Sequence, residues 1–367
     1  MQPNLYQGDA RFSSTGAYVN RWLNWTGEID AAVNAEVASL PNASPLPSRR
    51  WWAASSVAGY DNPAIGPQDI ERAGIDKKQQ IAEYSIHSYQ FNACSRSAFK
   101  SATLPNMLDM QTLSAFAGGR LSSGDKAMLR QTGSTWIMGE GNSVACEGKP
   151  GVSDSFGQAL YLTALLLSYA TLGAARTYMH SGASLLTGLE SSKELNQGTA
   201  DGSPSFSTYN YFYPTASSAR GEKRANPGYL SQLLLAEAIG TRGKAQPVAL
   251  DVPSPLSQSS LYINAIYDSA VSGGGDDTGA ARLVIVNAKP YMTDDSTRGS
   301  IKLNISALLP AGTQPSNFTA KRLTSPHTDT TDADLTTWAG QSFKYGAANG
   351  TLSIENIENG TVALRDS

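Results

Sequence analysis

The chain is poor in the residues that mark several functional classes. It has two cysteines, Cys94 and Cys146, too few for a disulfide framework and in no metal-ligand spacing, which argues against a structural zinc site. Charge is sparse and nearly balanced, with 28 Lys and Arg against 31 Asp and Glu and a net charge of -3. Nucleic-acid surfaces gather basic side chains on one face. The basic residues of this chain are scattered among acidic ones, so no nucleic-acid partner is expected. Long apolar runs are missing too. The uncharged stretch 159–175 approaches the length of a membrane span but contains Thr163, Ser168, Tyr169, Thr171 and Gly173 and falls short of it. It reads as a buried helix running into a buried strand, and no membrane partner is expected. The N-terminus, Met1-Gln2-Pro3-Asn4-Leu5-Tyr6, has no charged segment followed by an apolar one. Either the protein stays in the cytosol or its true start lies upstream. No internal repeat, heptad array or low-complexity tail occurs.

What is present has two grammars. Across residues 51–180, short apolar runs alternate with longer helical patterns, the signature of parallel strands joined by helices. Strand candidates are 51–56, 81–89, 135–139 and 174–180. Helix candidates are 67–76, 106–117, 123–131, 153–172 and 227–239. The fourth places Phe156, Leu160, Thr163 and Leu167 on one stripe with further leucines beside it, so most of its surface should be covered. Residues 16–38 read as another amphipathic helix through Tyr18, Trp22, Trp25 and Ile29. After about residue 242 the pattern changes to short alternating strands at 261–267, 282–287, 300–305, 319–323 and 360–364. Gly, Pro, Asn and Asp clusters separate them, including a hairpin tip expected at 272–277. An α/β domain at 1–241 and an all-β domain at 242–367 are expected. Six Asn-x-Ser/Thr triplets, at Asn24, Asn42, Asn304, Asn317, Asn349 and Asn359, are glycosylation acceptors if the chain enters the secretory path.

The segment Thr135-Trp136-Ile137-Met138-Gly139-Glu140-Gly141-Asn142-Ser143 stops an apolar strand at a carboxylate between two glycines. In a (β/α)8 barrel the C-terminal strand ends hold the catalytic groups, and flanking glycines allow close approach of backbone or ligand. A surface ion pair is the competing reading for Glu140. Equivalent strand ends carry His87 and Tyr89, in Tyr84-Ser85-Ile86-His87-Ser88-Tyr89-Gln90, and His180, in Arg176-Thr177-Tyr178-Met179-His180-Ser181-Gly182. Two of three histidines at neighbouring strand ends favour a polar, sugar-sized cleft. Buried histidines satisfied by backbone groups are the alternative. His327, among Thr and Asp, reads as a solvated loop residue.

These residues carry a resemblance. Glu140-Gly141-Asn142-Ser143 and Gly148-Lys149-Pro150-Gly151-Val152-Ser153-Asp154-Ser155-Phe156 look like the nucleophile strand and following loop of glycoside hydrolase family 79, the fungal β-glucuronidase and heparanase-like family. Thr337-Trp338-Ala339-Gly340-Gln341-Ser342-Phe343 resembles the tryptophan motif near the end of that family's C-terminal β domain, and residues 261–287 its paired early strands. The resemblance implies a (β/α)8 TIM barrel, of which this chain has the C-terminal half (strands 5–8), followed by an all-β sandwich-like domain. It implies a secreted enzyme hydrolysing β-linked glucuronides or related saccharides by a retaining mechanism, without metal or organic cofactor. Glu140 takes the nucleophile position, and Asn142, together with the strand-end residues His87, Tyr89 and His180, is a candidate substrate-binding residue. The run Tyr209-Asn210-Tyr211-Phe212-Tyr213-Pro214 offers Tyr209 or Tyr211 to a uronate carboxylate, although the same aromatics could pack between domains.

The chain departs from the family at the second carboxyl. Where the resemblance calls for Asn-Glu-Pro at the end of the fourth strand, the sequence reads Met1-Gln2-Pro3, so Gln2 occupies the acid/base position. An amide cannot deliver that proton, and general acid–base assistance contributes about a hundredfold to ten-thousandfold in rate. Strands one to four would precede Met1. The expectation is an incomplete and inactive or weakly active chain, and the rival is a noncatalytic carbohydrate-binding or degenerate glycosidase-like protein. In such a barrel, Cys94, seven residues past His87, and Cys146, six past Glu140, would sit in adjacent loops. They are either bridged or two separate buried thiols.

Overall fold

The computed structural model describes residues 13–41, 51–54, 65–182, 206–216, 220–252, 260–268, 280–306, 318–357 and 359–367. Its elements begin with α1 (Thr15–Ser39), β1 (Trp52–Ala54), α2 (Pro67–Arg72), β2 (Ile81–Ser88), β3 (Phe91–Asn92), α3 (Arg96–Ser101), α4 (Leu104–Met107) and α5 (Met110–Gly118). There follow α6 (Ser123–Thr132), β4 (Thr135–Gly141), β5 (Val144–Ala145), α7 (Phe156–Thr171), β6 (Ala174–Met179), β7 (Phe212–Tyr213), β8 (Arg224–Ala225) and α8 (Tyr229–Ile239). The rest are strands: β9 (Ala245–Leu250), β10 (Leu261–Asp268), β11 (Arg282–Asn287), β12 (Ser300–Asn304), β13 (Thr319–Ala320), β14 (Leu323–Thr324), β15 (Thr337–Trp338), β16 (Glu355–Asn356) and β17 (Thr361–Arg365). The described residues fall into two compact units, one within Met1–Ser88, Gly118–Gly141 and Leu172–Met179, the other within Tyr89–Ala117, Asn142–Thr171 and His180–Ser367.

The first unit is built on a parallel sheet in the order β1-β2-β4-β6. Its inner strands bury Ile81, Tyr84 and Ile86 on β2 and Trp136, Ile137 and Met138 on β4, and the unbroken apolar run on β4 is that of a strand covered on both faces. The strand expected at 174–180 is not buried. It forms as β6, an outer strand of the described sheet, and Ala175, Arg176 and Tyr178 are exposed. One buried carboxylate serves two helix starts: Asp125 Oδ2 accepts from Ser122 N and Oγ at the capping box of α6, and its Oδ1 accepts from Gln68 N in the first turn of α2 at 2.8 Å. Amide donors left open at two N-termini are thereby satisfied by one anion. Helix α1 forms as expected but turned by about one residue. Its buried face is Tyr18, Val19, Leu23 and Thr26, whereas Ile29 is exposed. The tryptophans of the expected stripe flank that face, with Trp22 edge-on to Trp52 at 5.9 Å and Trp25 beneath the Arg21 guanidinium.

The second unit centres on α7, whose side chains are buried almost throughout as the leucine pattern requires. It packs with α8 on the antiparallel sheet β11-β10-β9. Leu261 pairs with Asn287 and Ile266 with Arg282, so the expected strand pair forms. Its tip, 272–277, lies outside the described residues, as do 55–56 of the first strand candidate. A second core gathers Leu261, Ile263, Leu303, Ile305, Ile357 and Val362. Strand β9, which contains Pro247, is not among the strands expected from the sequence. It forms at a sheet edge, where a missing N–H is tolerated.

Three further expectations are corrected. The helix at 106–117 is two, α4 and α5, because Asp109 Oδ1 accepts from Thr112 N at 2.8 Å and starts a new helix. The strand at 319–323 breaks into β13 and β14, and the residues between them pair outward, Lys321 with Glu237 at 2.5 Å and Arg322 with Glu355 at 2.7 Å. His327 is half-buried and stacked on Tyr291 at 5.1 Å, where it was expected to be solvated.

Candidate active site

In the first unit the strand order places β2 beside β4, and their parallel register sets the carboxylate. Ile86 pairs with Met138, but the next pair is His87 with Glu140, so Gly139 is an extra residue on β4. The pairing with β6 skips at the same place, from Met138–Thr177 to Gly141–Met179. A bulge of this kind re-aims the following side chain. His87 Nδ1 lies 3.3 Å from Glu140 Oε2, and the Glu140 side chain keeps 26% of its surface accessible. The carboxylate lies beside a neighbouring imidazole and keeps part of its surface accessible.

Gly139 is required by contact. A Cβ there would collide with Ser85 Oγ and come within 3.5 Å of His87 Nε2. Gly139→Ala is expected to destabilise the fold by about 1–3 kcal/mol, the cost of one forced methyl in a packed site. Ser85→Ala in the same chain should recover most of that loss. Urea denaturation of the two variants checks this, and no recovery in the double variant would remove Ser85 from the explanation.

The second unit gathers other expected residues. Asn142 is fully buried, and its Nδ2 donates to the backbone oxygens of His180 at 2.8 Å and Tyr209 at 3.4 Å. His180 is exposed, and its Nδ1 shares a 2.7 Å hydrogen bond with the Tyr209 hydroxyl. Asn210 clamps the same turn by exchanging two hydrogen bonds with Gly182, at 2.9 and 3.0 Å. Tyr211 is oriented elsewhere. Its hydroxyl accepts from Gln232 on α8 at 2.8 Å, and burial pushes its ionisation above the ordinary tyrosine range despite hydrogen bonds with Ser231 and Gln232. Of the two tyrosines, Tyr209 is the one beside His180. Tyr89 is half-buried just after β2, and Gln2 lies outside the described residues.

Two features were not singled out or not settled by sequence. Gln158 on α7 is fully buried and donates to Asn142 Oδ1 and Tyr209 O, both at 3.2 Å. Cys94 and Cys146 are bonded to each other, with Cα atoms 5.3 Å apart. The bridge closes the short parallel pair β3–β5. Beyond it, Cys146, Glu147 and Gly148 have φ of 61°, 73° and 83°, a left-handed turn costly for the two that carry a Cβ. Glu147 O then accepts from Thr208 N at 2.7 Å. A Cβ at Gly148 would lie 3.0 Å from Tyr209 N, so only glycine lets the two segments approach. Among the described residues, no three His, Cys, Asp or Glu side chains are grouped to hold a metal ion, and no helix is long and apolar enough to cross a membrane.

Residues 267–367 match the glycosyl hydrolase family 79 C-terminal beta domain. A β-glucuronidase of Aspergillus niger is 32% identical over 190 residues, 49% of this chain and 33% of that protein. Over residues 267–367 the chain is similar to the C-terminal beta domain of glycoside hydrolase family 79. A second relative, a β-glucuronidase of Neurospora crassa, is 23% identical over 328 residues, 87% of this chain and 52% of that protein. The chain therefore spans about a third to a half of the length of these relatives. Among solved structures, a 4-O-α-L-rhamnosyl-β-D-glucuronidase from Fusarium oxysporum, in complex with Rha-GlcA, superposes with a TM-score of 0.67 at 18% identity, covering 100% of this chain and 67% of that one. That likeness is one of fold. The expected resemblance to family 79 is borne out, and the matched residues include the tryptophan motif. In the matched domain Trp338 starts a tight turn, Ala339 and Gly340 having φ of 52° and 80°, and its Nε1 donates to Glu237 at 2.9 Å.

Proposed function

We propose that this chain is the part of a retaining, β-glucuronidase-like glycoside hydrolase that carries the nucleophile, Glu140, with the parallel sheet corresponding to strands five to eight of a (β/α)8 barrel. On this reading the barrel portion ends near residue 241 and a β-sandwich-like domain follows. The observation that carries it is the β4 bulge, which aims an accessible Glu140 beside His87 at the C-terminal end of a parallel strand. The family 79 match supports the substrate class, a β-linked glucuronide. In the first half of a double displacement, a carboxylate oxygen of Glu140 bonds to the anomeric carbon while the leaving oxygen departs with the bonding electrons. Water then cleaves the glycosyl ester. Asn142, His180 and Tyr209 are proposed saccharide contacts. A secretory destination is proposed as well, supported by the Cys94–Cys146 bond and by exposed Asn24, Asn304, Asn349 and Asn359. Asn42 and Asn317 lie outside the described residues.

Because the acid/base position falls on Gln2, the test uses a leaving group that departs without protonation. A 2-deoxy-2-fluoro-β-glucuronyl fluoride should label the protein once, releasing fluoride and leaving the sugar esterified to the Glu140 peptide in the mass spectrum. Saturable glucuronide binding without labelling would replace this reading with a noncatalytic carbohydrate-binding one. Labelling at another carboxyl would overturn the assignment of Glu140.

A further inference from the structure

Gln158 lies fully buried in the first turn of an otherwise leucine-rich helix, where a side-chain amide has to find partners or lose hydration without compensation. Its Nε2 finds three acceptors: Asn142 Oδ1 and Tyr209 O, each at 3.2 Å, and Ser143 Oγ at 3.5 Å. Asn142 passes the connection on. With Oδ1 occupied by Gln158 Nε2 and by Ser143 N at 2.8 Å, its Nδ2 is turned to the backbone oxygens of His180 and Tyr209. The Tyr209 ring then meets the His180 ring edge-on at 5.7 Å, with the hydroxyl on Nδ1 at 2.7 Å. Space is reserved for the Gln158 amide, because a Cβ on Gly228 would collide with it. One buried amide therefore ties the segment after β4 to the segment carrying Tyr209, and through both to the exposed imidazole of His180.

We propose that Gln158 is a positioning residue for saccharide binding, fixing the Tyr209–His180 pair through Asn142 and the Tyr209 carbonyl without touching the sugar itself. This rests on the glucuronide reading of the site. The role is distinct from packing, since an unbranched apolar side chain of similar volume fills the same space but presents no donor to the three acceptors. Without the donor, the Asn142 amide keeps its bonds to Ser143 N and to the His180 and Tyr209 carbonyls but loses the one from α7, and the Tyr209 carbonyl loses its bond to that helix. The pair then samples more than one arrangement, which weakens ground-state recognition more than the chemical step.

Gln158→Met and Gln158→Glu test this. The first removes the donor and keeps the volume, and the second keeps the shape but sets a carboxylate against acceptors. Labelling by the fluoroglucuronyl fluoride is followed as the inactivation constant KI and the limiting rate, and methyl β-glucuronide binding to unlabelled protein is measured by calorimetry. Both variants are expected to raise KI and Kd about tenfold while the limiting rate stays within about threefold. Unchanged KI and Kd in a variant that merely melts earlier would overturn the proposal and leave Gln158 a structural residue. Nitrogen-15 spectra of the imidazoles, assigned with His180→Asn, give a readout independent of sugar. A single His180 tautomer in the parent chain should become a mixture in Gln158→Met, and an unchanged His180 signal would also overturn the proposal. If the parent chain neither binds nor is labelled, the glucuronide reading fails and with it the sugar-binding role of Gln158. The imidazole spectra then decide whether the amide positions the Tyr209–His180 pair.

Discussion

Glu140→Ala is expected to lose hydrolysis of an activated aryl β-glucuronide by at least about a thousandfold, the scale on which removal of a covalent nucleophile acts. It should then regain turnover when azide is added. The azide nitrogen takes the place of the missing carboxylate, attacks the anomeric carbon from the face Glu140 occupied, and expels the aryloxide with its electron pair. The product should be the α-glucuronyl azide, because only one displacement has occurred. This outcome separates a nucleophile from a general acid. Loss of an acid/base would be rescued after the glycosyl ester forms, and two displacements would give the β-azide. An α-product identifies Glu140 as the attacking group whatever residue protonates the leaving oxygen. His87 sharpens the expectation. At 3.3 Å from Oε2 it orients the carboxylate in the parent chain, so His87→Ala should lower turnover less than Glu140→Ala and should not respond to azide.

Much of the first unit was legible because its physics is local. Strands that are buried on both faces are mostly apolar, and 135–139 announced β4 by that rule, whereas 81–89 announced β2 through Ile81, Tyr84 and Ile86 although the buried Ser85, His87 and Ser88 interrupt the run. Glu140 was legible for the opposite reason, a carboxylate that breaks such a run at its end. The bulge was not, since the skipped partner at Gly139 depends on the register of β2, β4 and β6 together and no residue in β4 alone encodes it. The face of α1 was misjudged by one residue because tryptophans lie flat along a boundary, counting as core in a periodicity while remaining half-exposed.

Gln158 escaped sequence reading altogether. A single amide among leucines carries no periodic signal, and the partners that give it meaning lie 16 and 51 positions away in the chain. Tyr209 and Tyr211 could not be separated for a related reason. Both belong to one aromatic run, and only the fold turns one hydroxyl to His180 and the other to Gln232. Both results show contacts of high sequence separation deciding which polar groups gather, after local pattern has placed the elements.

Cys94→Ser with Cys146→Ser is expected to be the most destabilising change outside the sheet. The bridge closes a span of 52 residues, for which chain entropy alone gives about 4 kcal/mol, within a general range of about 2–4 kcal/mol for native bridges. Peptide mapping without reductant should recover Cys94 and Cys146 joined, and two free thiols would remove the basis of the prediction. Stability alone does not say where the bridge acts. Closing a loop restricts the unfolded chain and need not alter the native site, so a pure entropy effect should lower the denaturation midpoint and leave KI unchanged. The left-handed turn at Cys146, Glu147 and Gly148 belongs to the native state, where it delivers the Glu147 carbonyl to Thr208 N beside Tyr209. If the bridge is what holds that turn, the double serine variant will relax it, Tyr209 will move with Thr208, and KI will rise as the midpoint falls. A midpoint change without a KI change assigns the bridge to the unfolded state. A change in both makes it part of the scaffold that sets the saccharide contacts.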